Sequence, residues 1–143
     1  MSDEIIEKKK RWLYRYKNNL QKIDRLRNKL IVLTEKIESV KSPNYSGMPR
    51  GGTPVTVEEL LSDKIDLENR IKRLEDKGIE YRREILEAID SLDDCRHSDV
   101  LEHWFICGES ADVIGENIGY STRYVFSLYA KALLELQIPD LIE

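Results

Sequence analysis

The sequence predicts an all-α protein. It reads as a long antiparallel helical hairpin of the coiled-coil kind over residues 1–94, followed by a small helix-turn-helix domain over 95–143. Three observations carry that reading. Two long stretches repeat apolar residues at spacings of three and four, the seam pattern of paired helices. A segment rich in proline and glycine, residues 42–55, separates them. The C-terminal third is punctuated by glycines at short intervals, with Ser121 placed to cap a helix. Charged residues make up 35% of the chain, above the roughly 25% of ordinary globular domains, which fits long helices with solvated outer faces.

The first helical pattern runs from about Glu4 to Val40. Tyr16, Ile23, Leu30 and Ile37 fall on one heptad position, and Leu26, Leu33 and Val40 on the other, with Asn19 interrupting the second row. The stretch Ser42-Pro-Asn-Tyr-Ser-Gly-Met-Pro-Arg-Gly-Gly-Thr-Pro-Val55 cannot continue a helix. It lacks the Gly-Lys-Ser/Thr ending and the preceding strand of a phosphate-binding loop, while Tyr45, Met48 and Arg50 offer side chains to a partner. A second helix starts at Thr56-Val-Glu-Glu59, the pattern of a capping box. It continues through Leu60, Leu67, Ile71, Leu74, Tyr81, Ile85, Ala88 and Leu92, with Lys64 and Gly78 filling the gaps; the glycine weakens the helix by about 1 kcal/mol and is a place for a bend. Each helix would span roughly 50 Å.

Charge is unevenly distributed. Residues 8–50 hold 13 Lys/Arg against 3 Asp/Glu, residues 51–94 hold 7 against 13, and residues 95–143 hold 3 against 8. A basic helix and an acidic helix of matched length favour pairing with each other over self-pairing. A two-helix arm has a thin core, so Trp12, Leu13, Ile31 and Val32 are expected to need cover, and a homo-oligomer is expected.

After Asp94 the pattern shortens. Val100, Leu101, Trp104, Phe105 and Cys107 form one apolar stripe that Gly108 ends. A helix-turn-helix then begins at Ala111. Ile114 and Ile118 are its first inward residues, Gly115 is small where helices cross, Gly119 supplies a left-handed turn, Tyr120 points inward and Ser121 caps the second helix. Val125, Leu128, Ala132 and Leu136 face the core. In such a unit the second helix enters the major groove by its first turns. That places Ser121, Thr122, Arg123, Tyr124, Ser127 and Lys131 at DNA, with Arg123 the candidate for reading guanine and Tyr124 and Lys131 for phosphates. The acidic balance of residues 95–143 opposes a phosphate backbone. An auxiliary basic arm of Lys8, Lys9, Lys10, Arg11 and Arg15, interleaved with Trp12, Leu13, Tyr14 and Tyr16, is therefore expected to assist. The same stretch can also pack Trp12, Leu13 and Tyr16 against the far part of the hairpin partner.

The segment Gly-Glu-Ser-Ala-Asp-Val-Ile-Gly-Glu-Asn-Ile-Gly-Tyr-Ser121 with Lys131-Ala-Leu-Leu-Glu-Leu136 resembles region 4 of sigma-70-type factors. The whole layout is similar to small transcriptional regulators of phages of Gram-positive hosts, the ArpU/RinA type, and the loop Tyr45–Gly52 resembles loops of such phage proteins. The resemblance implies a DNA-binding transcription regulator acting in the host cytoplasm with RNA polymerase as a partner. The recognition helix holds fewer Arg and Lys than is usual for that type. A packaging adaptor, or a protein that binds and inhibits a host nucleic-acid enzyme, are the competing expectations.

Other chemistry finds little support. Cys95, His97, His103 and Cys107 do not share a helical face as four zinc ligands would, so a core thiol and surface imidazoles are the reading, with no metal or cofactor. No catalytic constellation is apparent, so no enzyme activity is expected. No apolar run approaches the roughly 18 residues of a membrane span. The cations Lys8–Arg11 are followed by Trp-Leu-Tyr-Arg-Tyr-Lys rather than by the apolar stretch of a signal peptide.

Overall fold

The computed structural model describes residues 2–41 and 56–139. Within them the chain forms helices α1 (Ser2–Leu13), α2 (Arg15–Lys41), α3 (Val57–Asp90), α4 (Cys95–Phe105), α5 (Ala111–Ile118) and α6 (Thr122–Glu135), and no strand. The all-α architecture expected from the spacing is what is observed. The segment expected to be a loop, residues 42–55, lies outside the described residues; just after it the Thr56 hydroxyl accepts from the Glu59 amide at 3.1 Å and so starts α3 as half of the expected capping box.

The helix expected as one piece from Glu4 to Val40 is divided at Tyr14. The helical ladder persists around it, with Tyr14 N–H donating to Lys10 and Asn18 N–H to Tyr14, but the Trp12 carbonyl accepts from Arg15 Nε at 2.9 Å. A side chain has taken an acceptor that the next turn of helix would use. By contrast α3 runs unbroken through Gly78. Gly78 faces Asn19, and a Cβ there would stand 2.6 Å from the Asn19 amide nitrogen. The two irregularities of the seam are thus one feature: an asparagine buried at a seam position, and a glycine that makes room for it. A lone buried Asn fixes register at some cost in stability.

The contacts divide the chain into two compact units, 20–77 and 2–19 with 78–139. This differs from the division expected after residue 94. In the unit of residues 20–77, α2 and α3 bury Ile23, Leu26, Leu67 and Ile71 against one another, flanked by Leu30, Leu33 and Leu74. Arg27 pairs with Glu75 at 2.7 Å, and nearer the start of α2 Arg15 pairs with Glu84 at 2.9 Å. Partners in α3 recede as α2 advances, so the helices are antiparallel.

The other unit explains the shifted boundary. Trp12 and Leu13 of α1, Ile85 and Ile89 of α3, Leu101 and Phe105 of α4, and Ala132, Leu133, Leu136 and Ile138 at the end of the chain form a single core. Trp12 and Leu13 were expected to need cover from a second copy. They are 7% and 0% exposed within one chain, because α4 and α6 supply what a two-helix arm lacks. Ile31 and Val32 stay 57% and 65% exposed. A second core, Val100, Ala111, Ile114, Val125 and Leu128, holds α4, α5 and α6 together. Trp104 packs against both cores, stacked on Tyr129 at 3.9 Å and donating to the Tyr14 hydroxyl at 3.3 Å.

Deleting the buried side chain of Leu13 with Leu13→Ala should cost about 2–5 kcal/mol. Ile31→Ala, on an exposed helix face, should change stability by no more than about 0.5 kcal/mol. Urea denaturation followed by circular dichroism, at several protein concentrations, measures both. An Ile31 effect as large as that of Leu13, and growing with concentration, would show that a second copy covers this face.

Candidate nucleic-acid interface

The helix-turn-helix is built from local rules that each leave a mark in the structure. The Ser110 hydroxyl accepts from Val113 N–H and opens α5. Gly119 closes it at φ 79°, the left-handed region where glycine is favoured. The Gly115 carbonyl accepts both the Gly119 and the Tyr120 amides at 2.9 Å. A Cβ on residue 115 would run into the Tyr120 carbonyl oxygen, so the small residue is required by the turn backbone more than by a crossing helix. Ser121 then caps α6, its hydroxyl accepting from Tyr124 N–H at 3.1 Å.

α6 buries Val125, Leu128, Ala132 and Leu133 and turns its other face outward. Of the six positions expected at DNA, Arg123, Ser127 and Lys131 stand exposed one helical turn apart, and no ion pair within the described residues engages either cation. The other three are partly committed. Ser121 is exposed, with its oxygen used as the cap. Thr122 donates to Asp112 of α5 at 2.6 Å. Tyr124 is half-buried, edge-on to Tyr120 at 4.9 Å, and its hydroxyl accepts from Arg96 at 2.6 Å.

Arg96 is a residue that sequence reasoning missed. Asp94 caps α4 by accepting from the Arg96 amide at 2.9 Å. It also takes the Arg96 guanidinium on both oxygens, at 3.1 and 2.7 Å. The guanidinium, then the amide, hold the Asp94 carboxyl down at about 2, well below its usual range. So fixed, Arg96 sets a cation beside the first turn of α6. The Asp-x-Arg spacing at a helix start shows the cap, but the reach to Tyr124 is tertiary and leaves no local trace. Phe126, 52% exposed and edge-on to Trp104 at 5.9 Å, was also missed. Helical spacing from Arg123 would have found it on the same face.

The auxiliary arm needs correction. Lys9 is buried, and its ammonium donates to the Leu133 and Leu134 carbonyls at 2.8 and 3.1 Å. It caps the C-terminus of α6, where four carbonyls lack helical partners, and burial lowers its pKa. Arg15 is half-buried, paired with Glu84 and laid over the rings of Trp12 and Tyr81 at 4.6 and 4.7 Å. Lys10 is half-buried and faces Glu7 at 3.6 Å. Only Lys8 and Arg11 of the five are exposed. The cysteine and histidine reading is corrected too. Cys95 and Cys107 are both exposed, while His97 is buried against Glu135 at 3.0 Å and His103 bonds Glu109. The ring nitrogens found carboxylates, and the thiols lie outside the packed stripe. Among the described residues no group of His, Cys, Asp or Glu is arranged to hold a metal ion, and no helix is long and apolar enough to cross a membrane.

No family model matches the chain, and no curated protein or solved structure is detectably similar to it.

The Asp94 geometry sets a pH dependence. Its folded pKa, about 2, lies below the ordinary 3.8. The charge of Asp94 therefore stabilises the fold fully above about pH 4, and that contribution is lost as pH falls through about 2. Asn caps a helix as well as Asp does. Asp94→Asn should thus lower the urea midpoint at pH 6 and approach wild type near pH 1.5. A difference that does not change with pH would contradict the Asp94–Arg96 pairing.

Proposed function

We propose that the protein is a regulator of transcription that engages DNA through α6, in concert with RNA polymerase. This is the activity implied by its resemblance to ArpU/RinA-type phage regulators. The observation that supports it is the row Arg123, Ser127 and Lys131, exposed on a helix whose start is fixed by Gly119 and Ser121 and whose inner face is fully packed. A rigid helix with a cation in its first exposed turn is what base reading in the major groove requires. Arg123 can meet guanine O6 and N7 in two hydrogen bonds. Ser127 and Phe126 lie next along the groove, the ring suited to a thymine methyl. Arg96 and Lys131 lie where phosphates would flank the helix.

A second reading is favoured by a specific observation. Phe126, Leu134 and Val113 are 52%, 61% and 40% exposed in the same unit, and residues 95–143 hold 3 Lys/Arg against 8 Asp/Glu. Exposed apolar side chains in an acidic region suit a basic protein partner, such as a nucleic-acid enzyme of the host.

The test starts with selection of duplexes from a randomised pool by the wild-type protein, with and without RNA polymerase. On an enriched duplex at fixed salt, Arg123→Ala should weaken binding about ten- to a hundredfold, the worth of a two-bond arginine–guanine contact of roughly 1–3 kcal/mol. Its urea midpoint should match wild type. Identical binding by Arg123→Ala and wild type in both conditions, or no enriched sequence in either, would overturn DNA reading by α6. Loss of polymerase binding in Phe126→Ser alone would then support the protein partner.

A further inference from the structure

The basic residues that the α6 site lacks lie in the other unit. Lys22 and Arg25 of α2 and Arg70 and Arg73 of α3 line one open groove of about 430 Å3, with Leu26 and Leu74 in its floor. All four cations are exposed, and none is in an ion pair within the described residues. Two nearby carboxylates of α3 are engaged elsewhere, Glu75 with Arg27 at 2.7 Å and Asp76 with Lys72 at 3.9 Å. Each helix contributes its two cations at i and i+3, adjacent on one face and about 4.5 Å apart along the axis.

Four like charges around one groove repel one another, and nothing in the hairpin's own packing uses them. The lining holds no aromatic ring on which a base could stack and no carboxylate or amide that could read a base edge. Its apolar floor is small, since Leu26 is 3% exposed and Leu74 is half-buried. What two short rows of lysine and arginine fit is a chain of regularly spaced anions, arginine being the residue best shaped for phosphate oxygens.

We infer that this groove of the helical hairpin is a sequence-independent binding site for the phosphodiester backbone of nucleic acid. It belongs to the unit of residues 20–77 and does not depend on α6 reading DNA. It would supply the electrostatic affinity that the acidic C-terminal region does not.

The test uses the full chain and the variant Lys22→Gln, Arg25→Gln, Arg70→Gln, Arg73→Gln. Binding of a labelled random-sequence duplex is followed by fluorescence anisotropy as salt rises from about 50 to 200 mM. Each phosphate contact contributes about 0.9 to the slope of log affinity against log salt, so the variant should lose about 3 to 4 from that slope and bind at least tenfold more weakly at the low-salt end. The pair Arg70→Gln, Arg73→Gln should lose about half as much of the slope, which keeps the test decisive if the fourfold variant folds poorly. Arg123→Ala should change the slope by at most about 1. Failure of the α6 reading and failure of this one are thereby distinguishable. A wild-type protein that does not bind the duplex at low salt, or variants with the wild-type slope, would overturn the proposal. If the variants instead lose binding to poly-glutamate while duplex binding is unchanged, the groove serves an acidic protein surface and the nucleic-acid assignment is wrong.

Discussion

The far end of α6 is closed by a residue from the other end of the chain. A helix leaves its last carbonyls without partners and carries partial negative charge there. In this protein Lys9 of α1 answers both needs, donating to the Leu133 and Leu134 carbonyls. An ammonium loses hydration when buried, which is why its pKa falls. The position is tolerable because the carbonyls replace the water. Around that contact Trp12 and Leu13 pack with Leu133, Leu136 and Ile138. The helix that presents Arg123 is therefore held from beneath by α1 and α3, and its placement is a property of the whole unit rather than of the last third of the sequence.

That dependence bears on function. A recognition helix reads bases only if its inner face does not shift under load, and the inner face of α6 is shared between two cores bridged by Trp104 and Tyr129. Burial raises the Tyr129 hydroxyl above its usual pKa, so it stays neutral inside this stack. On the outer face, Arg96 is oriented by Asp94 and Tyr124, while Arg123 and Lys131 stand unpaired within the described residues. The arrangement separates cations that hold the fold, Lys9 and Arg15, from cations left available on its surface. Counting charge along the sequence could not make that separation.

Much of the fold was legible because it follows local rules. The heptad rows, the Thr56 start of α3, the Ser121 cap and the left-handed Gly119 each depend on neighbours a few residues away. Three features depended on residues far apart and were not legible. Gly78 and Asn19 were two separate gaps in two rows until the hairpin put one against the other. Lys8–Arg11 looked like a uniform basic cluster, yet the helical turn of α1 sends Lys9 inward and leaves Lys8 and Arg11 outside. Trp12 and Leu13 could be read as needing a second copy or as packing on the far part of the hairpin partner; that α4 and the end of α6 also cover them depends on residues distant in sequence. At the candidate interface the outward row Arg123, Ser127 and Lys131 followed from helical spacing. The commitments of Thr122 to Asp112 and of Tyr124 to Arg96 did not, since both are contacts between helices.

Native-state hydrogen exchange in low concentrations of denaturant tests most directly whether α1 belongs to the folding unit of the helix-turn-helix. Exchange reports the free energy of opening segment by segment. If Lys9, Trp12 and Leu13 hold α6 as described, the amides of residues 9–13 and of residues 125–133 will open together, with one free energy and one denaturant dependence. If residues 9–13 open at a much lower free energy while residues 125–133 stay fully protected, the helix-turn-helix stands without α1 and the account is wrong.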